Sequence, residues 1–519
     1  MKTKTKFHSL PYQGGECLKK LKVTMSKKVK IVIPLILLIL NSCSNDSAEM
    51  CDEASLDYTA QSGNEYTKLS GDKYTKLEEN SFVKASEQPM STFSIDADGA
   101  SYSNIRRFIL EENQLPPKAA IRTEELINYF DLDYPGANNS DPISLNGEVS
   151  TCPWNKANKL IRIGIKGKQI PNAELPPSNF VFLIDVSGSM AGADRLELLK
   201  AGFKLFVDEM SEKDRVAIVT YSGSAGVVLS SIPGNQKQKI KDAINSLGSG
   251  GSTAGAQGII TAYEIAQSNF IENGNNRVIL GTDGDFNVGV SSTEELVKLI
   301  EQKRDLGIFL TVLGVGRGNL NDEAMEQIAD NGNGTYEYID NLEQLKKVFI
   351  YEKNKFITVA KDVKVQVKFN PANVESYRLI GYENRILSTE DFKNDKKDAG
   401  EIGSGQNITA LYEIVPGNTF NKATPAFTID FRYKEPKSDI SIPMSLDIFD
   451  EGKTFDESSD YMKFTAGIVS YSMLICDSKY KGNSSYDEII KWLNTINLSD
   501  ENGNKKEFRE IVQKTKGMQ

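Results

Sequence analysis

The fold is decided by one stretch near the middle of the chain, Asn179-Phe-Val-Phe-Leu-Ile-Asp185-Val-Ser187-Gly-Ser189. Its apolar residues 180–184 have the length and composition of a strand that is buried on both faces of a sheet. Polar side chains follow at once. Because alternate residues of an extended chain point the same way, Asp185, Ser187 and Ser189 can present oxygen atoms to one point past the strand's carboxyl end. Open α/β sheets bind ligands at that end, so the stretch predicts a ligand-binding loop.

The same pattern repeats outward from this strand over residues 178–356. Short apolar strands are predicted at 180–184, 216–221, 278–280 and 309–314, and helical segments separate them. The first helical segment carries an apolar face that consists of Leu196, Leu199, Phe203, Phe206 and Met210. Alternating strands and helices indicate a Rossmann-like α/β domain, in which a mostly parallel sheet has helices on both faces.

Two further loops of this domain carry the same kind of side chain. In Gly248-Ser-Gly-Gly-Ser-Thr253, small residues let the backbone approach closely and Thr253 offers a hydroxyl. The other loop, Gly281-Thr-Asp283-Gly-Asp285, directly follows a predicted strand. Every donor in the three loops is a hydroxyl or carboxylate oxygen. Such a set, without His or Cys, suits a hard divalent cation, and Mg²⁺, Mn²⁺ and Ca²⁺ are the candidates.

Asp185-x-Ser187-x-Ser189, followed in order by Thr253 and Asp283, resembles the metal-ion-dependent adhesion site (MIDAS) of von Willebrand factor type A (VWA) domains. The resemblance implies that Ser187, Ser189 and Thr253 bind the metal, most often Mg²⁺, directly or through water. It implies that Asp185 and Asp283 supply negative charge and orient bound water. In such sites an open position on the cation takes a carboxylate from a partner protein.

The resemblance extends beyond the α/β domain and covers nearly the whole chain from Phe93 onward. Several flanking segments are similar to those of bacterial lipoproteins that carry a VWA domain. They are Phe93-Ser-Ile-Asp96, Ala100-Ser-Tyr102, Arg106-Arg-Phe108, Cys152-Pro-Trp154 and Asp477-Ser-Lys-Tyr-Lys-Gly482. This similarity implies an architecture rather than a biochemical role.

A different pattern surrounds the α/β domain. Apolar and polar residues alternate over 363–369, 427–433 and 440–448, as in antiparallel strands with one buried face. The strands predicted before Asn179 are too few for a stable sheet, so we expect them to pair with those after Lys361. The α/β domain is then inserted in, or flanked by, a β-sandwich with helical terminal segments.

The predicted segments are a signal peptide (1–42), a lipidated polar tether (43–90), an N-terminal flanking domain of helices and then strands (91–177), the VWA domain (178–356), a β-sandwich region (357–455) and a C-terminal helical region (456–519).

The N-terminus has the features of a bacterial export signal. Three lysines at 27, 28 and 30 precede a ten-residue apolar run, 31–40, which is too short to span a bilayer. Leu40-Asn-Ser-Cys43 resembles a lipobox, which implies lipidation of Cys43, and Met25 is a second candidate start. The polar stretch that follows contains the repeat Gly63-Asn-Glu-Tyr-Thr-Lys-Leu69 and Gly71-Asp-Lys-Tyr-Thr-Lys-Leu77. We expect it to act as a tether between lipid and body.

Composition excludes several classes of function. The 519 residues include 61 Lys and Arg against 71 Asp and Glu, and removal of residues 1–42 changes the formal charge from -10 to -18. This acidity argues against nucleic-acid binding. The single histidine, His8, lies in the predicted signal, which argues against a Ser-His-Asp relay or a His-rich zinc site. Cys51, Cys152 and Cys476 show no CxxC spacing, and whether they form a disulfide is left open.

Together these observations predict a membrane-anchored binding module, not an enzyme, which captures a protein or extracellular ligand through a bound cation. A metal-dependent hydrolase is the alternative, but it needs a general base, and Asp283 or Asp285 would serve only if one of them were not committed to the metal site. An envelope assembly or scaffolding factor is a third reading. Ser44 after Cys43 resembles outer-membrane sorting, while the periplasmic or surface side is left open.

Overall fold

The structure is a computed structural model that describes residues 71–519, except 77, 96–97, 138–140, 223, 252–254, 285–292, 398 and 418–422. The predicted signal peptide, Cys43, Cys51 and the first part of the tether lie outside the described residues. The tether is described from Gly71 onward.

The N-terminal part contains two short strands, two helices and a long antiparallel hairpin. Their bounds are β1 (Val83–Lys84), β2 (Met90–Ser94), α1 (Ala100–Arg106), α2 (Thr123–Asn128), β3 (Ile143–Thr151) and β4 (Lys159–Gly167). Helix α1 continues into a π-helical turn, Arg107–Glu111. The first helical segment of the N-terminal part is therefore a regular α-helix only as far as Arg106.

The α/β domain follows. Its elements are β5 (Ser178–Asp185), α3 (Leu196–Glu209), β6 (Arg215–Ser222), β7 (Ser224–Pro233), α4 (Lys237–Asn245), α5 (Gly255–Ser268), β8 (Asn275–Thr282), α6 (Thr293–Asp305), β9 (Ile308–Val315), α7 (Asp322–Asn331), β10 (Tyr336–Ile339) and α8 (Leu342–Lys346). The sheet order is β10-β9-β8-β5-β6-β7, and every neighbouring pair except β6 and β7 is parallel. Helices α3, α4 and α8 cover one face, while α5, α6 and α7 cover the other. The predicted fold class is confirmed.

The remaining elements are antiparallel strands and then helices. They are β11 (Thr358–Phe369), β12 (Val374–Ile380), β13 (Ile386–Leu387), β14 (Gly400–Gly403), β15 (Asn407–Pro416), β16 (Phe427–Lys434), β17 (Ser441–Ile448), α9 (Asp460–Cys476), α10 (Tyr486–Thr495) and α11 (Asn504–Met518). No helix among the described residues is both long enough and apolar enough to cross a membrane.

Strands from before and after the α/β domain share two sheets. One sheet has the order β1-β12-β15-β4-β3, and the other has the order β13-β2-β11-β16-β17 with β14 also paired to β11. β4 pairs with β15 and β2 pairs with β11, both antiparallel. The inner faces of the sheets pack into one core, in which Ile163 and Val365 are fully buried. This is the sandwich that the alternating pattern predicted.

The sequence pattern missed the central strand β15. Its residues 407–414 are all buried, because β15 lies between β12 and β4 and is covered on both faces. A strand buried on both faces has no period of two, so the alternation used for prediction is absent there. Ile440, in contrast to the buried residues of β15, was expected on a buried face but is 75% exposed. The reason is that β17 lies at the edge of the sheet and begins only at Ser441.

A third core joins α1 and α2 to the C-terminal helices α9, α10 and α11. It contains Tyr102, Phe130, Phe464 and Phe508, whose rings contact one another. The N- and C-terminal parts of the chain therefore stabilise each other.

The cysteines in this part of the chain are not paired. Cys152 and Cys476 are free thiols, and burial raises the pKa of both. They therefore do not form the disulfide between themselves that the sequence left open.

Arg106, on α1, ties the α/β domain to the helical core. Its guanidinium makes two hydrogen bonds to Asp340, with Nε–Oδ2 at 2.6 Å and Nη2–Oδ1 at 2.5 Å. Both side chains are almost completely buried. Nη1 donates to the Tyr129 hydroxyl at 3.0 Å. A buried pair with this geometry fixes how the edge strand β10 meets α1.

An acidic cluster forms a second contact between the α/β domain and its flanks. Arg122 lies within 2.8 Å of carboxylate oxygens of Glu125, Asp322 and Glu326. Arg385 also lies 3.4 Å from Glu326. Carboxyl groups outnumber guanidinium groups here, and burial raises the pKa of Glu326 to about 8.

Replacing Glu326 by Gln is expected to flatten the pH dependence of stability. The folded-state pKa lies above the usual value near 4.5, so the folded protein holds an extra proton between about pH 5 and pH 8. Stability should therefore fall as the pH rises through this window, by at most about 1.4 kcal/mol per pH unit. Urea unfolding at several pH values measures the slope. Glu323→Gln, an exposed position on the same helix, is the control, and equal slopes for both variants would contradict the assignment.

Candidate metal centre

The first predicted loop brings its three polar residues together. Asp185 ends β5 and is fully buried, and its Oδ1 accepts a hydrogen bond from the Ser187 backbone N–H at 2.8 Å. The Oγ atoms of Ser187 and Ser189 lie 3.0 Å apart. Ser187 precedes a 3₁₀ turn, Gly188–Met190, which turns the chain away from the sheet. One carboxylate and two hydroxyls thus converge at the carboxyl end of β5.

The second loop is hydrogen-bonded to the first. Gly250 N–H donates to the Val186 carbonyl at 2.7 Å, and Gly188 N–H donates to the Gly251 carbonyl at 3.1 Å. Gly251 has φ of +95°, a conformation that favours glycine. Thr253, the predicted ligand of this loop, lies outside the described residues. The described part of the loop lies beside Val186 and Gly188.

The third loop places Asp283 directly after β8. Its carboxylate is fully buried, and neither oxygen accepts a hydrogen bond from a described residue. The nearest cation is the guanidinium of Arg195, with Nη1 3.6 Å from Oδ2. The adjacent Thr282 hydroxyl donates to Asp185 Oδ2 at 3.3 Å, so the ends of β5 and β8 are linked. A buried carboxylate without hydrogen bonds is costly unless another group compensates its charge.

The electrostatics of these loops favour a bound cation. Burial raises the pKa of the Asp185 carboxyl, and the nearby Asp283 raises it further, whereas hydrogen bonds from Ser187 oppose the shift. In the described part of the chain, no three or more His, Cys, Asp or Glu side chains are arranged so that they could hold a metal ion by themselves. The donors gathered here are two carboxylates and two hydroxyls, and they fit a hard divalent cation, whose preferred ligands are oxygen atoms.

Three residues of this centre were not predicted from the sequence. The buried hydroxyl of Tyr221 interacts with Asp185 and Thr282, and burial keeps the Tyr221 pKa well above its usual range. Tyr221 and Thr282 could have been found, since each lies at the end of a strand next to β5 and Tyr221 is in register with Asp185. Arg195 could not have been found in this way, because it does not lie at the end of a strand and reaches the centre from the N-terminus of α3.

Comparison with known proteins assigns the parts of the chain. The family model described as von Willebrand factor type A domain matches residues 179–350, a von Willebrand factor model matches 68–162, and the C-terminal model of the uncharacterized protein YfbK matches 354–518. YfbK of Escherichia coli (strain K12) is 39% identical over 458 residues, which cover 83% of this chain and 79% of that protein.

The chain is also similar, more distantly, to other proteins. Inter-alpha-trypsin inhibitor heavy chain H3 of Homo sapiens is 29% identical over 167 residues, 30% of this chain and 18% of that protein. Among solved structures, the von Willebrand factor type A protein from Catenulispora acidiphila covers 72% of this chain and 98% of its own, with 15% identity and a TM-score of 0.40.

The family assignment agrees with the prediction of a protein that is not an enzyme, because VWA domains generally mediate protein–protein interactions. The two other family models, over residues 68–162 and 354–518, cover the segments that flank the domain. This chain belongs to the family of von Willebrand factor type A domain proteins that includes YfbK.

Proposed function

We propose that this protein is a lipid-anchored binding module of the bacterial cell envelope, which captures a protein or extracellular ligand through a divalent cation. The cation, Mg²⁺ in the first instance, is held by Asp185, Ser187, Ser189, Thr253 and Asp283. A carboxylate of the partner completes its coordination.

The observation that carries this proposal is the state of Asp283. Both of its carboxylate oxygens are buried without a hydrogen-bond donor among the described residues, and they lie beside a second buried carboxylate, that of Asp185. Without a cation this arrangement costs stability, since each buried charge has lost its hydration. A divalent ion bound between the loops would compensate both charges.

The oxygen donors also explain why an acidic partner would be captured. Ser187 and Ser189 are neutral, so a cation bound to them keeps much of its positive charge and attracts an anion from outside. The body carries a formal charge of -18 once residues 1–42 are removed, and it would otherwise repel a carboxylate. The proposal therefore requires that capture of an acidic partner depends on the metal.

The anchoring part of the proposal rests on the sequence of the N-terminus. Cys43 receives the lipid, and the polar residues 44–70 connect it to the described body. Ser44 directs the protein to the outer membrane in this proposal. Globomycin treatment of cells should then cause a precursor that retains residues 1–42 to accumulate, whereas an unchanged size would argue against lipidation at Cys43.

The binding part of the proposal predicts metal-dependent capture. Purified protein used as bait in cell-envelope extract should recover partners in the presence of Mg²⁺ but not with EDTA, because the partner's carboxylate binds through the ion. Asp185→Ala should fail under both conditions, since it removes a buried charge of the site. Mass spectrometry of the recovered proteins is the measurement.

A matched variant controls for nonspecific effects. Asp208→Ala also removes one carboxylate, but Asp208 is an exposed residue of α3 that pairs with Lys241, away from the three loops. It should recover the same partners as the native chain. Recovery of the same partners with Mg²⁺, with EDTA and by Asp185→Ala would overturn the proposed function.

A further inference from the structure

Residues 71–74, which fall within the predicted tether, contact the α/β domain. Lys73 N–H donates to the Leu320 carbonyl at 2.7 Å, and the Lys73 carbonyl accepts from Asp322 N–H at 3.2 Å. These bonds form a parallel bridge between Lys73 and Asn321. Residues 316–321, which connect β9 to α7 and are called the support loop below, therefore hold residues of the tether as an added strand.

Asp72 makes this attachment specific. Its side chain is fully buried, and Oδ1 accepts from the backbone N–H groups of Gly318 at 2.7 Å and Leu320 at 3.1 Å. Oδ2 accepts from Arg107 Nη2 at 2.8 Å. Asp72 belongs to the second copy of the repeat, and the first copy has Asn64 at the equivalent position. Only the second copy therefore has a carboxylate at the position that pairs with Arg107.

The opposite side of the support loop contacts the metal centre through Arg195. Arg195 Nη2 donates to the Arg317 carbonyl at 2.6 Å, and its Nη1 donates to the Ser189 carbonyl. The same Nη1 lies 3.6 Å from Asp283 Oδ2. One guanidinium thus joins the support loop to a predicted ligand and to the carboxylate that lacks hydrogen bonds.

Backbone packing provides a second connection. Gly284, which follows Asp283, has φ of +107°, and a Cβ at this position would lie 2.5 Å from the Asn321 backbone nitrogen and 2.7 Å from the Asn319 carbonyl oxygen. Gly284 and the support loop are therefore in direct contact. A shift of the support loop cannot leave the position of Asp283 unchanged.

We propose that residues 71–74 of the tether are a positioning element for the metal site, and that Asp72 raises the affinity of this site for a divalent cation through the support loop and Arg195. The inference rests on the proposed function, because it presupposes that the site binds metal. Coupling between two sites is reciprocal, so a bound cation must also strengthen the attachment of the tether. Detachment of the tether would lower the affinity of the site for the cation and for the partner.

Mg²⁺ titration of the full chain by calorimetry tests the coupling. Asp72→Asn should weaken Mg²⁺ binding about 5-fold or more, the lower end of common coupling between sites. Asp208→Asn is the matched control. It also removes one carboxylate charge, but Asp208 is an exposed residue of α3 that pairs with Lys241, so its Mg²⁺ affinity should stay within about twofold of native.

Hydrogen exchange supplies a measurement that does not depend on the folding of a variant. In the native chain, Mg²⁺ should slow exchange of the Gly318 and Leu320 amides, which donate to Asp72. The coupling is wrong, while the proposed function stands, if the native protein binds Mg²⁺, exchange at these amides does not change, and Asp72→Asn binds Mg²⁺ with equal affinity. Absence of Mg²⁺ binding by the native chain would overturn the proposed function and the coupling together.

Discussion

Asp283→Asn is expected to lower the affinity for Mg²⁺ by about 100-fold and, at the same time, to stabilise the metal-free protein by about 1 kcal/mol or more. The first effect follows because the variant removes one of two buried carboxylates that face the proposed cation. The second follows because these oxygens accept no hydrogen bond from a described residue, and the Arg195 guanidinium, 3.6 Å from Oδ2, compensates their charge only in part. An amide of nearly the same shape removes the cost of the buried charge.

The opposite signs make this experiment informative. Calorimetric titration with Mg²⁺ measures the affinity, and urea unfolding in EDTA measures the stability. Asp214→Asn is the control, because Asp214 caps the amino ends of the strands, where its Oδ1 accepts from Ser178 N–H at 2.8 Å. This control should bind Mg²⁺ as the native chain does. Native affinity in Asp283→Asn would exclude Asp283 from the metal site.

Arg106→Ala is expected to lower the free energy of unfolding by about 3–5 kcal/mol, because it leaves the buried Asp340 without its charged partner. The guanidinium also bonds to the Tyr129 hydroxyl and to Gln344, so the substitution opens the contact between β10 and the helical core. Urea denaturation followed by circular dichroism measures the change.

The control for this substitution is an arginine in a partly exposed ion pair. Arg317→Ala removes a guanidinium that is 39% exposed and pairs with Glu111, so it should cost about 1 kcal/mol or less. Arg106→Ala and Arg317→Ala should therefore differ by several-fold in their effect. A cost for Arg106→Ala as small as that of the control would show that the buried pair does not hold the domains together.

Most of the fold could be predicted because its elements leave local signals. The apolar residues before Asp185 marked β5, and the period of two over residues 363–369 marked β11. Strand β15 left no such signal, since both of its faces are covered and its pattern is uniformly buried. The edge strand β7 was also missed, and its Val227 and Val228 are partly exposed. Prediction thus failed at strands in which the burial of each side chain depends on the neighbouring elements and is not visible in the strand's own sequence.

The positions of the candidate metal-binding side chains could be predicted only where those side chains lie at or just after the end of a strand. Asp185, Ser187, Ser189 and Asp283 follow two adjacent parallel strands, and parallel strands place their carboxyl ends at the same edge. Arg195 could not be predicted, because nothing in its local sequence indicates that it reaches Asp283 and the support loop.

By itself, the sequence determined that hydroxyl and carboxylate side chains gather at the carboxyl end of an α/β sheet, because the side-chain types and the strand order are local properties. Only the tertiary structure decided what surrounds that site. It brings Asp72 and Arg195, which are 123 residues apart in the sequence, into contact with the same support loop, and it places Arg195 within 3.6 Å of Asp283. The physical reason is that a contact between distant segments depends on how whole elements pack, and no short stretch of sequence encodes that packing.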